Sequence, residues 1–163
     1  MPAVANRRTD VDIPRAVWSA WIPGDGSPRQ LRRELTPDER QALEARRDEL
    51  APAVAPFSPR SVDRLVREIG AMYGGFPSMR MGSDEAVVGR ASSLLDVLAK
   101  FPAWAIAKTC QRIRENGVWR NGAYHRQWPP SDAEIIDAVR AEMRLYADTH
   151  RTVVALLGAT VES

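Results

Sequence analysis

Cysteine occurs once in this chain of 163 residues, at Cys110, and histidine twice, at His125 and His150. A single thiol closes no intrachain disulfide, so the fold must rest on packing. Neither histidine has a cysteine, a second histidine or an acid at the helical spacing of a metal site. Lysine is as scarce: Lys100 and Lys108 are the only two, and arginine supplies the remaining cations. No run approaches the ~18 consecutive apolar residues of a membrane helix, so no membrane association is expected. No stretch alternates apolar and polar residues over more than a few positions, so a sheet is not expected. The glycine-containing stretches GSPRQ and MYGGF lack the lysine and the flanking strand of a phosphate loop. These absences leave no catalytic, metal-binding or cofactor-binding residue to assign. The chain is therefore expected to be neither an enzyme nor a cofactor protein.

What is present is enough for one modest core. Apolar residues make up 44% and charged residues 27%, ordinary values for a water-soluble domain. The opening stretch MPAVANRRTDVDIPR has basic residues and no apolar run, so no secretory signal is expected and a cytoplasmic location fits. Formal net charge is only +2, yet the charge is unevenly placed. From Phe101 to Pro130 the cations Lys108, Arg112, Arg114, Arg120 and Arg126 face one acid, Glu115. From Ser131 to Asp148 the acids Asp132, Glu134, Asp137, Glu142 and Asp148 outnumber Arg140 and Arg144. Such a division either steers a partner or neutralises itself internally, where exposed pairs contribute little.

The periodicities describe an all-α fold of about five helices in a small irregular bundle, with a long C-terminal helix. Residues 1–34 read as a partly disordered N-terminal arm. Within it Ile13, Val17, Trp18 and Trp21 share one helical face behind Pro14, and IPGDGSPRQ then breaks the helix. Residues 35–158 form a single helical domain, and 159–163 a tail. Thr36, Pro37 and Glu39 open the first helix of that domain with a capping box, and it should fade near Ala51–Pro52. APAVAPFSP is expected as an extended connector. Val62, Leu65, Val66, Ile69 and Met72 trace the buried stripe of the next helix, in which Gly70 would permit close packing. FPSMRMGS reads as a loop. Ser83 caps a third helix carrying Leu94, Leu95 and Leu98. Pro102 forces a new start, with Trp104, Ala105, Ile106, Thr109, Cys110 and Ile113 on its apolar face and Asn116–Gly117 as terminator. Cys110 sits in that stripe as a buried thiol. Ser131 and Glu134 cap the last helix, which runs to about Leu157 and frays after Gly158. At ~25 residues it would span ~37 Å, so its distal part would project or pair with a second copy.

The segment Gly117–Pro130, GVWRNGAYHRQWPP, is the candidate contact surface. Trp119, Tyr124, His125 and Trp128 interleave with Arg120 and Arg126, and Arg112 lies just upstream. Aromatic rings stack on unpaired bases while arginines neutralise phosphates. Asn121–Gly122 supplies a turn, which makes the segment a candidate short hairpin. Two uses stay open. Trp119 and Trp128 either plug one end of the bundle, or form a binding surface for protein or nucleic acid.

A leucine-rich helix followed by FPAWAIAKTCQRI, a polar loop and WPPSDAEI resembles small helical proteins of phages and prophages. More distantly it resembles the phage replicative-helicase loaders. The residues that carry the resemblance are Leu94, Leu95, Leu98, Pro102, Trp104, Ala105, Ile106, Cys110, Trp128, Pro129, Pro130, Ser131 and Glu134. The loop before Trp128 is longer than in the compact loaders, and residues 1–60 match no family. The resemblance implies a non-enzymatic replication accessory or adaptor whose partner is a protein, the replicative helicase first. Single-stranded DNA is a further ligand, and self-association would run through the C-terminal helix. A DNA-binding regulatory protein and a phage structural or assembly protein are the competing readings.

Overall fold

The computed structural model describes residues 30–80 and 82–161. The expectations for Ile13, Val17, Trp18 and Trp21 therefore lie outside the described residues. In chain order the elements are β1 (Gln30–Leu31), α1 (Pro37–Val54), a 3-10 turn (Pro59–Ser61), α2 (Val62–Gly74) and a second 3-10 turn (Pro77–Met79). There follow α3 (Asp84–Val97), α4 (Ala103–Asn116), β2 (Val118–Arg120), β3 (Ala123–His125), α5 (Asp132–Leu157) and β4 (Thr160–Val161). The fold is all-α in class, with five α-helices among the described residues and only very short strands.

The helix starts are chemical and local. Thr36 N–H donates to Glu39 Oε2 at 2.9 Å while Glu39 N–H donates to Thr36 Oγ1 at 3.2 Å, the reciprocal capping box. Arg33 adds two bonds of 2.8 Å to the same carboxylate. Arg33 and the Thr36 amide hold the Glu39 carboxyl at about 2. At α3 the Ala86 amide donates to Ser83 Oγ, and at α5 Ser131 and Glu134 repeat the box. Helix α1 runs through Pro52 to Val54 and does not stop before it. A proline inside a helix forfeits one amide bond and crowds the carbonyl four residues back, and only Ala53 and Val54 follow it in this one. The connector is accordingly shorter than expected and holds a 3-10 turn. FPSMRMGS likewise contains a 3-10 turn, and Met79 leans on the core.

The described chain groups into two compact units, a division inside the 35–158 segment. The unit Ala55–Met143 holds α2, α3, α4, the β2–β3 ribbon and the first turns of α5. Its core is built from Leu65, Ile69, Met72, Tyr73, Leu94, Leu98, Ile106, Ile135 and Val139, all 1% exposed or less. The α3–α4 corner is closed by Phe101, buried, whose carbonyl accepts from Phe57 N–H at 2.9 Å. Gly70 is not crowded: a Cβ there would meet Val87 at 3.8 Å, an ordinary contact. Close packing is therefore not what keeps a glycine at that point.

The other unit comprises, among the described residues, 30–54 and 144–161. Leu31, Leu35, Leu43, Val153 and Leu156 form its small core, with Leu157 and Ala159 against it. The distal turns of α5 thus do not project bare, as the helix length suggested; Val153 and Leu156 are fully buried. Nor is the segment after Gly158 a free tail. Thr160–Val161 pairs in parallel with Gln30–Leu31. A two-residue strand is too short to leave an alternation in the sequence, which is why this ladder is not legible there.

Candidate binding surface on the hairpin

The segment after α4 turns on two glycines. Gly117 ends the helix at φ +91, ψ −166, a region that residues with a Cβ essentially never occupy. A Cβ there would lie 2.4 Å from the His125 carbonyl oxygen and 2.9 Å from Arg126 Cγ. Asn121 and Gly122 both have positive φ, +50 and +81, as a two-residue I′ hairpin turn requires. The register that follows pairs Val118 with His125, Trp119 with Tyr124 and Arg120 with Ala123.

Directly opposed residues share a face, and successive ones alternate. Val118 is buried against the core, so Trp119 and Tyr124 face away from it. Their rings meet edge to face, centroids 4.9 Å apart at 70°. Trp119 and Trp128 are each 60% exposed and Tyr124 54%. Neither tryptophan plugs the bundle. The ribbon has only one covered face, and the aromatic pair lies on the other. Arg126, two residues beyond Tyr124, lies across Gly117.

The cations gathered in the sequence separate into two groups. Lys108 Nζ and Arg112 Nη1 both bind the buried Glu142 carboxylate, at 2.6 and 2.8 Å. Arg120 grips Glu134 through Nε and Nη2 at 2.6 and 2.8 Å, and donates to the Pro129 carbonyl at 3.0 Å. Arg120 is thus a clip between the hairpin and the start of α5. Its guanidinium, with the Ser131 amide and hydroxyl, holds the Glu134 carboxyl at about 2. His125 Nε2 lies 3.1 Å from the Arg120 carbonyl, to which it can only donate. The basic stretch is therefore largely neutralised by the acidic helix that follows it, the second of the two uses its sequence allowed. The structure brings Trp119 and Tyr124 together on one face, but it commits Arg112 and Arg120 to acids of α5 and His125 to the backbone.

Arg114 and Arg126 are different. Neither forms an ion pair among the described residues; Arg126 donates to the Glu115 carbonyl. Both line a cleft of about 40 Å³ with Gly75, Phe76, Ile113 and Gly117. In the sequence Arg114 belongs to the basic stretch but not to the candidate contact surface. Its signal was the exposed helix position one turn before Gly117, but only the fold brings it to the side of Arg126.

Cys110 is 1% exposed and burial pushes its thiol up to about 12, far from a nucleophile's range. No group of three metal-ligating side chains stands together among the described residues. No helix among them is long and apolar enough to cross a membrane. Comparison with protein-family models, with curated proteins and with solved structures finds no match to this chain.

Proposed function

We propose that this protein is a non-enzymatic adaptor that binds another protein through the aromatic face of its hairpin. The observation that carries this reading is the exposure of Trp119 and Tyr124 on the ribbon, and of Trp128 three residues beyond it, where the neighbouring cations are mostly spent on Glu134 and Glu142. Large rigid aromatics are the side chains that most often anchor protein interfaces. Nonspecific DNA affinity instead grows with the number of free cations that reach phosphates, and here three of the five are paired. The resemblance to phage helicase loaders makes a replication accessory the specific form of the proposal, and the replicative helicase the first partner to test. A DNA-binding regulatory protein is the second reading, favoured by the same rings, which can stack on unpaired bases.

The discriminating experiment measures two bindings side by side at physiological salt: to the host's replicative helicase, and to a labelled oligothymidylate. The adaptor reading expects a helicase complex that the Trp119→Ala/Trp128→Ala variant weakens by about tenfold or more, the loss of an interface anchor. Helix content by circular dichroism should not change. Micromolar affinity for the oligothymidylate with no helicase complex would overturn it in favour of the DNA reading.

A further inference from the structure

Lys108, Arg112 and Arg120 each have a carboxylate partner, and Arg114 and Arg126 have none among the described residues. Both arginines line one cleft, Arg126 also donating to the Glu115 carbonyl, and that cleft is floored by apolar Phe76 and Ile113. Gly117 and Arg126, which line the cleft, stand two residues before Trp119 and two after Tyr124, so the cleft adjoins the hairpin that carries this pair. An apolar contact and an anion contact therefore lie next to each other on one surface.

We infer that this surface recognises an acidic protein segment, with an apolar side chain on the Trp119–Tyr124 pair and a neighbouring Asp or Glu carboxylate in the Arg114–Arg126 cleft. The inference rests on the adaptor reading and specifies its partner. Two arguments select a carboxylate. First, the cleft is small, about 40 Å³, and is lined by the guanidinium side chains of Arg114 and Arg126, which favours a small anionic group. Second, guanidinium binds carboxylate by charge-assisted hydrogen bonds, roughly twice as strong as neutral ones. A nucleic acid would need a row of free cations along its backbone, and the row that the sequence offered is broken by Glu134 and Glu142.

The test selects peptides from a displayed random library on the full chain, then measures the winners by fluorescence anisotropy against Arg114→Gln and Trp119→Ala, with labelled oligothymidylate alongside. Arg114 has no ion pair to lose, so its variant should stay folded. Expected are sequences rich in Asp or Glu beside an apolar residue. Arg114→Gln should weaken them by about tenfold, as for loss of a hydrogen bond to a charged group, and added salt should weaken them in the wild type. Trp119→Ala should weaken acidic and neutralised versions alike. Winners that are apolar without acids, and indifferent to Arg114→Gln, would overturn the acidic specificity and leave the adaptor reading standing. Oligothymidylate binding with no peptide enriched would overturn both.

Discussion

Helix α4 and the β2–β3 ribbon follow each other in the chain, separated by Gly117 alone, and treat their apolar side chains in opposite ways. In α4 the stripe Ala105, Ile106, Cys110 and Ile113 is buried, and Thr109 is drawn in with it. In the ribbon Val118 alone is buried, while Trp119 and Tyr124, larger and more apolar by area, lie outside. The difference is geometric. A helix packed on two neighbours can turn a wide stripe inward. A two-stranded ribbon lying on a core has one covered face, and every second residue is turned to the other. Hydrophobicity alone does not decide burial here; the period of the element does.

The comparison can be broken first on the helix side. Ile106→Ala should destabilise by about 2–5 kcal/mol, as expected for truncating a fully buried aliphatic side chain. Chemical denaturation of the variant beside Trp128→Ala measures the contrast. The exposed tryptophan should change stability by no more than about 0.5 kcal/mol. Equal losses at the two sites would mean that the ribbon's aromatics are held in a core after all.

The junction between the two regions is the next point to probe. Gly117→Ala should cost about 1–3 kcal/mol, the usual strain of a side chain forced into such backbone. The His125 carbonyl stands where the new Cβ would go, so the hairpin must shift. Indole fluorescence of Trp119 should report that shift even in a folded variant. An unchanged melting curve and unchanged spectrum would contradict the geometry.

The smallest expected effect sharpens how the ribbon is fastened. The Glu134 carboxyl lies at about 2, below its ordinary 4.5, chiefly because Arg120 binds it. A carboxyl depressed in the folded state stabilises fully above its unfolded value. That stabilisation is lost as pH falls from about 4.5 towards about 2. Glu134→Gln should therefore melt below the wild type at neutral pH, and the gap should narrow towards the lower end of that window. Glu39 titrates over the same window, but it is present in both proteins and cancels from the difference. A gap that is equally wide in acid would mean that the ion pair contributes nothing.

Much of this molecule was decided locally, and that part was legible. Thr36 with Glu39, Ser83, and Ser131 with Glu134 mark helix starts because each side chain satisfies an amide within three residues of itself. Leu65, Ile69, Leu94 and Ile106 read as core because a period of 3.6 puts them on one side of their own helix. Asn121–Gly122 announces its turn because both positions require positive φ. What only the tertiary structure decided depends on which distant residue comes to lie opposite. Nothing local told Arg120 and Arg112, bound to Glu134 and Glu142, from Arg114 and Arg126, which line a cleft without a carboxylate partner among the described residues. Nor could two-residue strands at 30–31 and 160–161, or the burial of Val153 and Leu156 by Leu31, Leu35 and Leu43, be read before the chain had closed on itself. Capping and periodicity act over one turn, whereas pairing and burial act across the fold.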